Sequence, residues 1–167
     1  MTAITITLVQ RGVTARAELD EQAAPRTCAA VLAALPLEAQ VYHGKYARNE
    51  IYALFNAFAE IDPGPENTTI TPIPGDLCWF SFSGDALGNP AYGYEAGAEH
   101  GGTSDVVDLA VFYGRNNLLI NGDQGWVPGN VFGSVTRGLP ELAAACQDLW
   151  MGGVRGETLR FELATDA

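Results

Sequence analysis

Apolar and polar positions alternate along the first twenty residues. Ile4, Ile6 and Leu8 alternate with Thr5 and Thr7, and Val13, Ala15, Ala17 and Leu19 alternate with Thr14, Arg16 and Glu18. A period of two puts one set of side chains on one face of a strand. With Gln10-Arg11-Gly12 between them, the two runs predict an opening hairpin with one face in a core. The chain closes in the same way, with Leu159, Phe161 and Leu163 alternating with Thr158, Arg160 and Glu162. Between these ends the period changes twice. Cys28, Val31, Leu32 and Leu35 fall at i, i+3, i+4 and i+7 among alanines, which predicts a helix over 27–35, with Thr27 as its cap and Pro36 as its stop. Pro140 opens a second helix with Glu141 in its first turn. Leu142, Cys146, Leu149 and Trp150 are expected on one face of it, and Gly152-Gly153 ends it.

Further strands are expected over 38–43, 50–55, 77–82, 106–113, 117–120 and 130–136. Prolines and glycines make 62–76 a loop with extended pieces, because proline removes ladder donors. The Gly-rich stretch 83–105 is long for a compact domain, and such loops are usually functional. Asn121-Gly122-Asp123 reads as a turn. No repeat, linker or charge block divides the chain, so one domain over 1–167 is expected. Many short strands with two helices point to a mainly β fold, a closed barrel plugged at its ends, since closure removes exposed sheet edges.

Charge narrows the function classes. The 167 residues carry 20 acidic against 9 basic side chains, a net charge of -11, and Lys45 is the single lysine. Such a surface repels phosphate, which argues against nucleic acid and against an anionic membrane as partners. No apolar run approaches the roughly 20 residues of a membrane helix. The first residues carry no basic start or cleavage-type site, so a cytoplasmic location is expected. The three cysteines, Cys28, Cys78 and Cys146, are far apart in apolar patterns. They suit small core side chains better than a disulfide, a zinc site or a reactive thiol. His43 and His100 are also far apart, so no metal is expected. Gly122, Gly125 and Gly129 lack the strand-to-helix crossover of a dinucleotide loop, and no cofactor is expected. His100, Ser104 and Asp105 share one glycine-rich loop, which does not fix the geometry a triad needs.

A set of short motifs runs in order through most of the chain: Asn49-Glu50-Ile51-Tyr52, Glu66-Asn67, Pro74-Gly75-Asp76 before Leu77-Cys78-Trp79-Phe80, Tyr92-Gly93, and Gly129-Asn130-Val131-Phe132. Their order and spacing resemble the small bacterial cyclophilin-like proteins of unknown function. The resemblance implies a cyclophilin-like closed β-barrel with a helix over each open end. It also marks a departure. True cyclophilins carry a Phe-His-Arg triplet after the first helix, and here the similar triplet is Tyr42-His43-Gly44. The arginine that works on the proline amide is missing, and so is the Gln-Gly-Gly-Asp segment. Arg48 is close in sequence but out of register.

The candidate ligand-binding residues are Glu50, Arg48, Asn67, Tyr42, Tyr52, Tyr92, His43, Tyr113 and Asn130. Glu50, if aimed into the barrel mouth, could act as a base or anchor a polar group. Otherwise it is an exposed carboxylate, as glutamate usually is. Arg48 and Glu50 at i and i+2 are expected on one strand face as an ion pair. The tyrosines line a pocket or pack the core and rim. His43 exchanges a proton near neutral pH or serves one structural hydrogen bond. Asn67, set across from Glu50, and Asn130 hold a ligand amide or carboxylate, or bond local backbone. Asp76 is expected in a turn. The sequence thus suggests binding of a small organic ligand or substrate at the barrel. A prolyl isomerase with a rearranged site and a non-catalytic scaffold that assembles homo-oligomers are the alternatives.

Overall fold

In a computed structural model, residues 1–87, 94 and 105–165 are described. Their elements run β1 (Ala3–Leu8), β2 (Val13–Leu19), α1 (Pro25–Ala34), β3 (Leu37–His43), β4 (Glu50–Asn56), β5 (Thr68–Thr69), β6 (Asp76–Phe82), β7 (Val106–Phe112), β8 (Ile120–Asn121), β9 (Gly125–Trp126), β10 (Gly129–Arg137), α2 (Leu139–Gly152) and β11 (Thr158–Leu163). The predicted opening hairpin forms, with Ile6 opposite Ala15, and β11 pairs with the other edge of β1. The sheet continues β2-β1-β11-β3-β4-β7-β6-β10 in antiparallel order. Strand β10 then pairs back onto β2, which closes the barrel. Gly133 sits in β10 between its pairings with β6 and β2. A Cβ there would meet the Glu18 carbonyl oxygen at 2.7 Å, so closure at that point requires glycine.

The interior is built from the alternating apolar positions. Ile4, Ile6, Leu8, Ala15, Ala17, Leu19, Phe132, Leu159 and Phe161 are buried in one cluster with Ile51, Leu77, Leu109 and Val111. The helices close opposite ends. At one end Cys28 and Val31 of α1 join the cluster, and the Cys28 thiol donates to the Phe132 carbonyl at 3.2 Å. At the other, Leu142, Ala145, Cys146 and Leu149 of α2 face inward. All three cysteines are free and buried. Burial pushes the thiols of Cys28 and Cys146 up to about 12, far from nucleophilic range.

Three expectations change. Helix α1 starts at Pro25, and Thr27 lies inside its first turn instead of capping it. Trp150 lies off the buried stripe of α2 and is 57% exposed. The expected strand over 117–120 shrinks to β8, which pairs with β9 in a two-residue hairpin. Asn117 is the reason. Its side chain donates to the carbonyls of Pro72 and Gly114 and accepts from the Asn49 amide, which ties the segment into loops.

No helix among the described residues is long and apolar enough to cross a membrane.

Candidate functional site

Strands β4, β6 and β7 are covered on both sides. Their odd-numbered residues (Ile51, Ala53, Leu77, Trp79, Val107, Leu109, Val111) point into the barrel. Their even-numbered residues meet a second apolar layer outside it, where Cys78, Phe80, Ala110 and Phe112 pack with Ala47 and Leu119 from loops. All seven residues of β7 are buried as a result. An antiparallel strand usually leaves one face to water.

That outer layer contains a cavity of about 110 Å³. Its floor is Glu50 and Tyr52 of β4, Phe80 and Phe82 of β6, and Asp108 of β7. Its walls are the segment 44–47, Leu87, Tyr94, and the stretch 119–127 through Leu119, Ile120, Asn121, Gln124 and Val127. The 44–47 wall approaches closely. The Gly44 amide donates to the Glu50 carbonyl at 2.8 Å, and a Cβ on Gly44 would meet Glu50 Oε2 at 2.5 Å. Only glycine leaves the carboxylate its place.

Glu50 and Asp108 are each 7% exposed. Burial pushes the Glu50 carboxyl up from its ordinary value to about 8. Burial, and then the charge of Glu50, push Asp108 well above the ordinary carboxylate range. No described cation pulls either one down. Asp108 Oδ1 is buried and has no hydrogen-bond partner among the described residues. An unpaired buried carboxyl oxygen costs free energy, and such groups cluster at functional sites. Beside the acids, the hydroxyls of Tyr52 and Tyr94 share a hydrogen bond of 2.8 Å. Tyr42 stacks on Tyr52 at 5.5 Å between centroids and meets Tyr94 edge-on at 5.2 Å. Burial raises both Tyr52 and Tyr94 above the ordinary phenol value, so both hydroxyls keep their protons.

The sequence candidates divide into three groups. Glu50 and Tyr52 line this cavity, and Tyr42 packs against its aromatic wall. Glu50 points to the outside of the barrel rather than into its mouth.

Arg48 is not beside it. Strand β4 begins at Glu50, and Arg48 sits in the preceding turn at φ 75°, where the i, i+2 rule of a strand does not hold. Arg48 lines a separate cleft at the α2 end, with His43, Tyr113 and Trp150. There His43 Nδ1 bonds the Gly44 carbonyl at 3.0 Å and Nε2 bonds the Tyr113 hydroxyl at 2.6 Å. A carbonyl only accepts, so Nδ1 carries the proton and Nε2 accepts from the phenol. Burial lowers the His43 pKa, which keeps the ring neutral in that arrangement.

The third group lies at the α1 end, away from Glu50. Asn130 Oδ1 accepts from the amides of Glu66 and Asn67, at 3.1 and 2.8 Å. Asn130 Nδ2 donates to the Thr27 hydroxyl and the Gly64 carbonyl. Asn67 Nδ2 donates to the Val131 carbonyl. Glu66 supplies the cap that Thr27 was expected to give. Its carboxylate accepts from the amides of Arg26 and Thr27 and from the Thr27 hydroxyl. Burial alone would raise Glu66, but these donors and the Arg26 charge hold it below its ordinary value. The two asparagines therefore pin a loop to α1 and β10.

Tyr92 lies outside the described residues, as do His100 and Ser104. Asp108 and Tyr94, which line the cavity, were not among the candidates the sequence offered. Asp108 carried a signal, a lone acid in the middle of Val106-Val107-Asp108-Leu109-Ala110-Val111-Phe112. Tyr94 stood in the long loop with no pattern to single it out.

The fold has solved relatives. McbB, solved in complex with tryptophan, superposes with a TM-score of 0.63 at 19% identity, over 98% of this chain and 45% of that one. The chain thus spans less than half the length of that protein. The mimivirus cyclophilin superposes with a TM-score of 0.50 at 13% identity, over 97% of this chain and 86% of that one. These likenesses show a cyclophilin-like fold. No curated protein matches the sequence. A family model does match, over residues 6–161, and the chain belongs to that family, DUF3830, whose members are proteins of unknown function.

Proposed function

We propose that the protein binds a small organic ligand or substrate in the outer-face cavity, with Glu50 and Asp108 as its polar anchors. The observation that carries this reading is Asp108, which lines the cavity and whose buried Oδ1 has no donor among the described residues. Ligand pockets are largely apolar with a few convergent polar groups, and this one follows that pattern. Its 110 Å³ is less than the roughly 150 Å³ that holds benzene in an engineered cavity. It takes one compact group of a ligand, and the rest lies toward the rim. Raised carboxyls are also suited to take or give a proton near neutral pH.

The isomerase reading draws no support from the cavity. Stabilising a twisted proline amide calls for a donor aimed at it. Arg48 lies in the other cleft, and the floor here is acidic.

The test is a thermal-shift panel of small amines, acids, amides and tryptophan (the ligand of the McbB structure) on the protein and on Asp108→Asn and Glu50→Gln. At least one compound should raise the melting temperature of the parent, with the rise lost in both variants. Flat curves for the whole panel would overturn the reading.

A further inference from the structure

The charge of the cavity floor says what it should take. Both acids sit within one small space, and each raises the cost of ionising the other. A neutral ligand would leave the cost of ionising the pair in place, and an anionic ligand would add to it. A cation would offset it and give Asp108 Oδ1 its missing donor. The surrounding surface suits an organic cation. Tyr52, Tyr94, Phe80 and Phe82 supply aromatic faces, which attract ammonium groups through the ring quadrupole. A metal ion fits less well. Among the described residues no three His, Cys, Asp or Glu side chains come together, and hard divalent cations take six or more oxygen ligands.

We infer that the ligand is a protonated amine on a small apolar or aromatic body, and that its ammonium lies between Glu50 and Asp108. This rests on the cavity being the binding site. Lys45 and Tyr46 also line the cavity, and the buried titratable groups in it are Glu50, Asp108, Tyr52 and Tyr94. Tyr52 and Tyr94 stay neutral, so the carboxyls set the proton balance. Near neutral pH the pair holds protons, and an incoming ammonium displaces one. Binding therefore releases a proton. The association constant therefore falls as pH drops into the range where the pair is protonated.

Calorimetric titration of the full chain with phenethylamine, 2-phenylethanol and phenylacetate tests this at pH 8.5 and pH 7. The amine should bind at least tenfold tighter than the alcohol, with phenylacetate weakest. Asp108→Asn should cost the amine tenfold or more and leave the alcohol within threefold. Arg48→Gln, which alters the other cleft, should leave all three unchanged. Titrations in buffers of different ionisation enthalpy should show about one proton released per amine at pH 7. If the alcohol or phenylacetate binds as tightly as the amine and Glu50→Gln weakens it, the site stands and the cation inference falls. Magnesium, calcium or zinc binding abolished by Glu50→Gln would overturn the inference in favour of a metal. If no compound binds, both readings fall together. Far-UV circular dichroism on each variant confirms that lost binding is not lost folding. Should Asp108→Asn fail to fold, Glu50→Gln carries the same comparison.

Discussion

Glu157 and Asp108 are both buried acids, 2% and 7% exposed, yet their surroundings are opposite. Glu157, in the loop before β11, accepts from the Gln10 amide at 2.9 Å and pairs with the Arg11 guanidinium at 2.7 Å. Arg11 extends the network to Asp148 of α2, also at 2.7 Å. Every charge there meets an opposite one, and the network fastens the β1–β2 turn to the α2 end of the barrel. Asp108 has an acidic neighbour and an oxygen with no donor among the described residues. Burial alone thus does not mark a site. A buried acid answered by its own chain is structure, and one left unanswered beside a cavity is the place to test for a ligand.

The strongest way to break that contrast is to remove Glu157. Glu157→Ala leaves a partly buried guanidinium and a backbone amide without their acceptor, and should destabilise the fold by about 3 kcal/mol. Chemical denaturation measures this, and a loss below about 1 kcal/mol would place the Arg11 network among ordinary surface pairs. Asn130→Ala should cost about 2 kcal/mol, because four partners lose their bonds in a buried place. Its ligand binding should stay within threefold of the parent, and a larger loss would move the site toward the α1 end.

The Glu50 side of the contrast appears as a pH slope. The folded carboxyl sits near 8, above its ordinary 4.5, so the folded chain binds the proton more tightly than the unfolded chain. Its contribution to stability is full below about 4.5 and is lost as pH rises toward about 8. Glu50→Gln should flatten that fall in melts taken from pH 5 to pH 8.5, and an unchanged slope would show that the pair does not titrate there. Glu66, held below its ordinary value by its donors, works in the other sense, and its contribution is lost as pH falls. Glu66→Gln should cost about 1 kcal/mol at pH 7, as a lost helix cap does. Smallest of all, Arg48→Ala should change stability by less than about 0.5 kcal/mol, as expected of an exposed side chain.

Much of the barrel was legible because its signals are periodic. The alternation in β1, β2 and β11 survives because one face of each meets the core. Strand β7 could be located as an apolar run, but its two faces could not be told apart. That is why Asp108 went unnoticed and why Glu50 was aimed at the barrel mouth. Facing outward or inward is a matter of parity along a strand, and parity has meaning only once the covering layer is known. That layer comes from loops, 44–47 and 119–127, whose placement follows no local pattern. Arg48 failed as a partner of Glu50 for a local reason, a left-handed turn where a strand was assumed. Asn67 and Asn130 were expected to bond local backbone or a ligand, and the backbone they bond is distant in sequence: Asn130 Oδ1 accepts from the Asn67 amide 63 positions away, and Asn67 Nδ2 donates to the Val131 carbonyl 64 positions away.

The division of β4, β6 and β7 into odd and even positions has an evolutionary consequence. Odd residues hold the barrel together, and even residues with the loops above them form the cavity. Substitutions in the second set can reshape the cavity without disturbing the first. Within such a lineage the lining of the cavity is free to drift while the scaffold persists, and two members can share every interior residue and differ in the chemistry of the cavity.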